Sequence, residues 1–280
     1  MSLRQSIRRR SFHRLERLGW HLVRVSPGDP VPDHRALGGL DARVSALPGV
    51  DMREGAQLGL LDEFATWREE LVELAIPPGF GALDVEVLHC MVRRHRPRRF
   101  IEVKSGVSTR VASRAMARND PGSPGGAITV IDRDASADLA TDPRVSIMRE
   151  DVRAVPADVF GALAADDVLF IDTSHVLKTG SDVQHLYLEV IPRLAVGCLV
   201  HIHDIFLPRE YPRDWYTQSL RSPNEQYLLQ AFLAFNDAFE VLWSSSHMHE
   251  HHGDRLSGLF HGYDPTSARQ GASFWIRRAR

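Results

Sequence analysis

Five short apolar runs are the feature of this 280-residue chain that most restricts its fold. In each run the apolar residues are nearly continuous and do not alternate with polar ones. The runs are "FIEV" (100–103), "AITVI" (127–131), "VSIM" (145–148), "VLFI" (168–171) and "CLVHI" (198–202). Strands buried on both faces show this pattern, and the longer segments between the runs suit crossover helices. The spacing predicts an α/β fold with a doubly wound parallel sheet.

The remaining segments extend this architecture. Amphipathic spacing predicts helices at about 53–74, at 82–95 and up to about residue 236, and strands near 239–243 and at 273–278. Before them, apolar residues at helical spacing among arginines predict a basic helix over 7–22, which we interpret as uncleaved, and a Pro- and Gly-rich arm follows over 26–50. We therefore expect an N-terminal extension over residues 1–80 and the main domain over residues 81–280.

Composition excludes several classes of protein. The chain has 34 basic and 36 acidic residues, a balance that does not favour a nucleic-acid partner. No stretch approaches the roughly 18 apolar residues of a membrane span. Cys90 and Cys198 lie in apolar segments without metal-type spacing, as expected of reduced thiols in a cytoplasmic protein. The sequence leaves the oligomeric state open, and a homo-oligomer is compatible with it.

A histidine cluster, "HMHEHH", covers residues 247–252. Histidines can hold a metal ion, but the sequence around this cluster shows no helix or strand spacing that would fix the ligands. We therefore predict that the cluster is a solvated loop.

Polar residues follow each predicted strand of the sheet. Ligands of an open parallel sheet bind beyond the carboxyl ends of its strands, at the point where the strand order reverses. The residues at these ends are Glu102 and "KSGVST" (104–109) after the first strand, Asp132 after the second, Glu150 and Asp151 after the third, Asp172, Ser174 and His175 after the fourth, and His203 and Asp204 after the fifth. The sequence places the candidate site here.

The loop after the first strand and the acid after the second indicate a nucleoside ligand. Asp132 closes the second strand, a position from which a carboxylate can accept both hydroxyls of a ribose. The "KSGVST" loop matches neither the glycine pattern of dinucleotide-binding folds nor that of a phosphate-binding loop. A ligand without a pyrophosphate group is therefore favoured.

A second group of residues suggests a metal. Asp172 and Asp204 end adjacent strands, so their carboxylates should converge, which is unfavourable unless a cation or a proton lies between them. Strand alternation puts His201 and His203 on one side, and His203 is nearer the strand end, so Asp172, His203 and Asp204 are the candidate ligands of a divalent metal. A hydrogen-bonded histidine–aspartate network that braces the pocket is the alternative.

Four segments carry a resemblance to a known family: "IEVKSGVSTRVASRA", "DVLFIDTSHVLKTGSDVQHLYLEVIPRL", "CLVHIHDIFLPREYP" and "NEQYLLQAFLAFN". Over residues 50–278 the chain resembles bacterial class I S-adenosylmethionine-dependent methyltransferases of the methyltransferase-24 type. The resemblance implies a Rossmann-like sheet of seven strands and S-adenosylmethionine as the cofactor. A cofactor with an amino-acid end and a ribose, but without a pyrophosphate, agrees with the loop and with Asp132.

The resemblance also implies roles for single residues. Asp132 would hold the cofactor's ribose and Asp151 would lie near its adenine, while the residues around its methionine end would be Glu102, Ser105, Gly106, Ser108 and Thr109. Ser108 and Thr109 could equally serve as helix N-caps. Lys104 departs from the family pattern, which has glycine there. Its ammonium would either bind the methionine carboxylate or fill the slot and abolish binding.

The layout is similar to that of catechol O-methyltransferase and its relatives. That similarity implies magnesium, or another divalent metal, at Asp172 and Asp204, with His175 in the position of the base that deprotonates the acceptor hydroxyl. Ile205 stands where those enzymes have a further amide ligand. The resemblance thus implies O-methylation of a small molecule or glycan precursor. The alternatives are an inactive methyltransferase-like scaffold whose cofactor slot is altered by Lys104, and a metal-dependent hydrolase built on the His/Asp group.

Overall fold

The computed structural model describes residues 43–76, 80–121, 126–217, 222–266 and 271–280, together with the single positions 15, 18 and 39. Compactness divides the chain into two units, Met1–Leu37 and Gly38–Arg280. Apart from these single positions, the helix predicted at 7–22 and the first part of the arm predicted at 26–50 lie outside the described residues. The fold described below is that of the second unit.

Seven strands form one sheet in the order β3-β2-β1-β4-β5-β7-β6. The strands are β1 (Arg99–Val103), β2 (Ala127–Ile131), β3 (Val145–Met148), β4 (Val168–Ile171), β5 (Leu199–Ile202), β6 (Phe239–Ser244) and β7 (Phe274–Arg278). Strands β1 to β5 pair in parallel, whereas β7 is antiparallel to both of its neighbours. The predicted doubly wound sheet is confirmed, and the five apolar runs are its parallel strands.

Helices connect the strands and cover the sheet. Within the ranges from residue 43 onward that the structure describes, the α-helices are α1 (Glu54–Phe64), α2 (Arg68–Val72), α3 (Ala82–His95), α4 (Val107–Asn119), α5 (Ala157–Gly161), α6 (Asp182–His185), α7 (Arg213–Thr217), α8 (Glu225–Leu233) and α9 (Ser245–Leu259). Helix α6 continues as a π-helical turn, Leu186–Val190, and a 3-10 turn, Ile191–Arg193. Further 3-10 turns are Ala65–Trp67, Ala137–Thr141 and Val152–Ala154. None of the helices within the described ranges is long and apolar enough to cross a membrane.

Successive residues of the strands belong to opposite layers of the core. In β4, Val168 and Phe170 pack in the layer that contains α1, α3, α4 and α9, whereas Leu169 and Ile171 pack in the layer that contains the 182–193 helix and α8. All four side chains are buried, because a strand covered on both faces has no face left for water. This two-sided burial is the physical origin of the continuous apolar runs in the sequence.

Two predicted elements differ in the structure. The helix expected at 53–74 is divided into α1 and α2 by the 3-10 turn Ala65–Trp67. The histidine cluster at 247–252, predicted as a loop, lies on α9: the Ser244 side chain caps this helix by accepting from the His247 N–H at 3.2 Å, and Met248 and Leu256 give it a buried face. The domain boundary expected after residue 80 stays a prediction, although Phe64 of α1 packs on Trp243 of β6 with ring centroids 5.6 Å apart.

Candidate active site

The candidate site lies where the strand order reverses, between β1 and β4. Val103 of β1 is in register with Ile131 of β2 and with Ile171 of β4, and Ile171 is in register with Ile202 of β5. The four strands therefore end in one row. The residues that follow them are brought to the same edge of the sheet, as the sequence predicted.

Lys104 turns the chain out of β1. Its φ of 65° lies in the left-handed region, which glycine adopts without strain and which costs a residue with a Cβ on the order of 1 kcal/mol. The Lys104 backbone N–H donates to the carbonyl of Ile131 at 3.0 Å, and its Nζ donates to the carbonyl of Thr173 at 3.1 Å. The lysine keeps the turn that glycine would make and extends an exposed ammonium toward the loop after β4.

Glu102, in β1, holds the loop of residues 104–109 through hydrogen bonds. The hydroxyls of Ser108 and Thr109 both donate to its carboxylate, the second at 2.5 Å, and the Thr109 hydroxyl accepts from the Gly106 N–H at 3.1 Å. Complete burial raises the pKa of Glu102 to about 8, with smaller contributions from the charges of Asp172 and Asp132. Its two oxygens are occupied within the protein, so Glu102 fixes the first turn of α4 against β1.

Gly106 and Asp132 face the opening of the site. A Cβ built on Gly106 would meet no atom within 4 Å, so open space lies beside the loop. Asp132, which is half-buried, accepts from the Ser105 hydroxyl at 2.6 Å through Oδ2 and from the Asp134 N–H at 2.9 Å through Oδ1. Each carboxylate oxygen has further lone pairs, so Asp132 can still accept a diol.

Asp151, at the end of β3, is held by two guanidinium groups. Arg153 donates through Nε to Oδ1 at 2.8 Å, and Arg133 donates to Oδ2 at 2.8 Å. The hydrogen bonds from Arg153 hold the pKa of this carboxyl well below its usual range, although burial acts in the opposite direction. The Asp151 side chain also caps the turn Val152–Ala154, so its contacts in the structure hold the protein's own chain.

His175 lies at the centre of three carboxylates. Its Nε2 is 3.2 Å from Asp172 Oδ1 and 3.2 Å from Asp204 Oδ2, and its Nδ1 is 2.9 Å from Glu225 Oε2. The ring is buried, with 2% of the residue exposed. Burial alone would lower the pKa of His175, but the hydrogen bonds with Asp172, Asp204 and Glu225 outweigh it and raise the pKa to about 11. The raised pKa favours the protonated ring, in which both nitrogens can donate.

The carboxyl group of Asp172 is affected by its charged neighbours. Burial acts to raise the pKa of Asp172, but the hydrogen bond from His175 and the charges of His203 and Lys104 hold it below its ordinary value.

His175 and Asp204 also have left-handed backbones, with φ of 59° and 58°. Non-glycine residues in this region are concentrated at functional sites, where the surrounding contacts maintain the strain.

The structure brings Asp172, His175 and Asp204 together. They form a group of potential metal ligands whose donor atoms, one from each residue, lie within 4.8 Å of one another. Two carboxylate oxygens and one imidazole nitrogen suit a divalent cation such as Mg²⁺, Mn²⁺ or Zn²⁺. A proton on His175 Nε2 can also pair with the two carboxylates. The three residues can therefore hold either a proton or a metal ion.

His201 and His203 lie beside this group on one side of β5, with ring centroids 5.7 Å apart. His203 stacks on Phe80 at 4.5 Å, and its Nε2 is 3.8 Å from Asp204 Oδ1, outside the group of three. His201 is fully buried, its Nε2 pairs with the Ser273 hydroxyl at 3.0 Å, and burial holds its pKa well below the usual value. His203 as a metal ligand stays a prediction, and His175 is the histidine nearest both carboxylates.

Sequence reasoning missed two residues of the site. Glu225, the first residue of α8, is fully buried, and its Oε2 accepts from the Thr173 hydroxyl at 2.7 Å and from His175. The Thr173 hydroxyl also accepts from the His175 N–H at 3.0 Å, so the three residues hold one another in place. The available signal was an acid at the start of the apolar helix "NEQYLLQAFL".

An aromatic cluster adjoins the group from the segment that follows β5. Trp215 lies 5.5 Å from Phe206 and 5.7 Å from Tyr211 by ring centroids, and its ring is 6.5 Å from that of His175. The hydroxyl of Tyr211 accepts from the Gln226 N–H at 2.8 Å, which attaches the segment to α8. The site therefore has an apolar wall next to its charged centre.

Residues 102–205 match the model of a family described as a methyltransferase domain. The match begins at Glu102 and continues just past Asp204, so it covers the ends of all five parallel strands. No curated protein matches the chain significantly.

Among solved structures, an O-methyltransferase from Bacillus cereus, in complex with SAH, is 14% identical; the similarity covers 79% of this chain and 91% of that one, with a TM-score of 0.40. A methyltransferase from Geobacter sulfurreducens is 16% identical over 90% of this chain and 99% of that one, with a TM-score of 0.39. These similarities are distant.

Proposed function

We propose that this chain is a class I S-adenosylmethionine-dependent methyltransferase of the methyltransferase-24 type and that it methylates a hydroxyl group of a small molecule or sugar. The match of residues 102–205 to a methyltransferase-domain model and the strand order of the sheet support this proposal. One observation carries this proposal: the Asp172, His175 and Asp204 group lies at the strand edge next to the loop of residues 104–106. A hydroxyl acceptor needs a group that takes its proton, and this group can do so.

The residues after β1 and β2 suit the cofactor. S-adenosylmethionine supplies a sulfonium-bound methyl group, whose carbon–sulfur bond breaks as the acceptor oxygen attacks the carbon. Asp132 would accept the ribose hydroxyls, the open space at Gly106 would receive the methionine end, and the Lys104 ammonium would bind the methionine carboxylate. Glu102, Ser108 and Thr109 would act by holding the loop, and Asp151 would border the adenine.

The acceptor's proton would pass to the Asp172, His175 and Asp204 group as a unit. The sequence predicts His175 as the base, and the raised pKa of its ring adds the two carboxylates at its Nε2 as candidate acceptors of the proton. Groups this close titrate together, and His175 limits the cost of converging charges. Glu225 and Thr173 would hold the ring in the orientation that allows this.

Asp172 and Asp204 would also be the residues that hold a divalent cation, with His175 as the third donor. A cation there would act as a Lewis acid and make the acceptor hydroxyl easier to ionise. Magnesium suits the two carboxylates, and the imidazole nitrogen also admits softer ions. His203 stays a candidate ligand through its proximity to Asp204.

The acceptor would be a small molecule or a glycan precursor. The rings of Phe206, Tyr211 and Trp215 form a packed aromatic cluster beside a charged centre, a combination that suits a sugar or another polyhydroxylated ring. We also keep, as proposals, a cytoplasmic location and an assembly of identical subunits.

Calorimetry with S-adenosylhomocysteine and transfer of labelled methyl to a panel of polyhydroxylated acceptors test the proposal. We expect the natural chain to bind S-adenosylhomocysteine and to methylate an oxygen. The double variant Asp172→Asn/Asp204→Asn should keep that binding and lose at least about 100-fold in kcat, because general acid–base groups contribute about 10² to 10⁴ in rate.

The alternative is an inactive scaffold whose cofactor slot is occupied by the Lys104 side chain. It is favoured if the natural chain fails to bind S-adenosylhomocysteine and Lys104→Gly binds it. Methylation of nitrogen or carbon in place of oxygen would refute the O-methyltransferase assignment while leaving the methyltransferase intact.

A further inference from the structure

Three histidines and one glutamate meet where α9 lies beside the start of α1. His247 and His251 are four residues apart on α9, so they lie on one face of the helix, and their ring centroids are 4.6 Å apart. His252 Nε2 is 2.6 Å from Oε1 of Glu54, the first residue of α1. These residues belong neither to the loops after β1 to β5 nor to the Asp172, His175 and Asp204 group.

His247 has a buried ring nitrogen without a hydrogen-bond partner among the described residues. The residue is 8% exposed, and this atom is its Nε2. A buried polar atom without a partner costs about 1 to 3 kcal/mol, which a metal–nitrogen bond would remove. Burial, and then the charge of the neighbouring His251, lower the pKa of His247.

A break in the helix changes the direction of the third histidine. Five residues along a regular helix, His252 would point well away from His247. Its backbone has φ −139° and ψ 33°, which is not helical, and its ring lies 6.5 Å from that of His251 and against Glu54. Local breaks of this kind inside helices often accompany functional sites.

Two of the histidines are spaced like ligands of one metal ion. Two imidazoles bound to one zinc through bonds of about 2.0 Å have ring centroids about 5 Å apart, and the separation of His247 and His251 is near this value. The donor atoms of the cluster are more widely spaced than those of Asp172, His175 and Asp204. His251 is exposed, so its ring can turn toward His247 Nε2 without disturbing the core.

We propose that His247, His251, His252 and Glu54 form a second metal site, which takes a borderline divalent transition metal such as Zn²⁺, Co²⁺ or Ni²⁺. Three imidazole nitrogens and one carboxylate oxygen are the donor set that these ions prefer, whereas Mg²⁺ prefers oxygen alone. Bound there, the ion joins α1 to α9 and stabilises the fold. The site is structural, and its existence does not depend on the methyl-transfer proposal.

Titration of the metal-free full-length chain with Co²⁺ tests the site, because tetrahedral Co²⁺ gives characteristic visible absorption. The catalytic-group variant Asp172→Asn/Asp204→Asn should keep this absorption and a metal-dependent rise in Tm. The double variant His247→Ala/His251→Ala should bind Co²⁺ at least about 100-fold more weakly, since loss of a residue that only contacts a ligand costs about 10- to 100-fold. Its Tm should not rise when Co²⁺ is added. His249→Ala is the matched control, since His249 on the same helix pairs with Tyr263.

A second variant guards against misfolding, because His247 is buried. Glu54→Gln changes an exposed residue and should weaken Co²⁺ binding about tenfold or more while leaving the metal-free Tm unchanged. The proposal is overturned if Co²⁺ binding survives in His247→Ala/His251→Ala, if Asp172→Asn/Asp204→Asn abolishes it, or if Glu54→Gln leaves both affinity and spectrum unaltered.

Discussion

At the scale of single residues, Lys104 sets the conformation and the charge of the loop after β1. Its left-handed backbone shows that the loop has the conformation of a glycine turn, and its Nζ is held by the carbonyl of Thr173. A side chain anchored in this way adds a positive charge to the edge of the sheet where Asp172 also lies. A lysine in place of glycine at this position therefore adds a charge to the loop and preserves its backbone path.

Lys104→Gly should bind S-adenosylhomocysteine about tenfold more weakly than the natural chain, since one hydrogen bond to a charged group contributes about 1.5 to 3 kcal/mol. Stability should change by less than about 1 kcal/mol, because relief of the left-handed strain offsets the lost contact to Thr173. Calorimetry and thermal denaturation measure the two quantities. Lys104→Ala removes the charge but keeps a Cβ, so it separates the effect of the ammonium from that of the backbone. If both variants bind S-adenosylhomocysteine equally weakly, the lost ammonium is the cause. Tighter binding by Lys104→Gly would contradict a role of the ammonium in binding the methionine carboxylate.

Glu225 is expected to act through His175 and not through the cofactor. Glu225→Gln preserves the shape of a fully buried side chain but removes the charge that Nδ1 of His175 faces at 2.9 Å. We expect kcat to fall about 10- to 100-fold with little change in KM for S-adenosylmethionine, measured by steady-state assays. Glu210→Gln, whose carboxylate pairs with Tyr227, is the control. A rise in the cofactor KM at constant kcat would exclude this positioning role.

At the scale of elements, Asp84 joins α3 to β7 and α9. Its buried carboxylate accepts from the N–H groups of Ala272 and Ser273 at 2.8 and 3.0 Å, and from the Ser245 hydroxyl at 3.1 Å. One side chain therefore satisfies the backbone where the chain enters the last strand and where α9 begins.

Asp84→Ala should destabilise the protein by about 3 kcal/mol or more, because each buried donor left without a partner costs about 1 to 3 kcal/mol. Urea unfolding measures this as a lower midpoint with an unchanged slope. Asp84→Asn retains one carbonyl oxygen and should lose roughly half as much. An alanine variant as stable as the natural chain would mean that water replaces the carboxylate.

The elements differed in how well the sequence predicted them. Val168–Ile171 was predicted to the residue, because burial on both faces leaves its own sequence pattern. Helix α9 was missed, because its polar face is crowded with histidines while its cap, Ser244, and its apolar residues, such as Met248 and Leu256, are dispersed.

The candidate site likewise contains residues that the sequence predicted and residues that it did not. Asp172 and Asp204 were expected to converge because adjacent parallel strands end together. Glu225 was not expected, since it lies 50 residues from its partner His175 and no local pattern encodes that contact. The topology of a sheet predicts which strand ends meet, but it does not predict which helix supplies the next side chain.

At the scale of the whole molecule, Glu86 should make stability depend on pH. It is fully buried on α3 and accepts from the N–H groups of His261 at 2.8 Å and Gly262 at 3.2 Å. Burial raises the pKa of its carboxyl from 4.5 to about 7, and the two hydrogen bonds only partly oppose this. The folded protein therefore binds this proton more tightly than the unfolded chain does.

The sign of the effect follows from linkage. Below pH 4.5 both states carry the proton, and the full stability is present; between pH 4.5 and about 7 the unfolded chain releases it first, so stability falls as pH rises. Above that range the buried charge costs about 3 kcal/mol relative to the acid form. Glu86→Gln cannot titrate, so its stability should lack this decline.

Urea unfolding of both proteins between pH 4.5 and 8 gives the difference in their free energies of unfolding, which cancels the titration of all other groups. We expect that difference to shift by about 3 kcal/mol in favour of Glu86→Gln as pH rises. Glu69→Gln, at an exposed position of α2, should give a difference that does not vary with pH. A constant difference for Glu86→Gln would show that the hydrogen bonds from His261 and Gly262 keep the carboxylate charged in the folded protein.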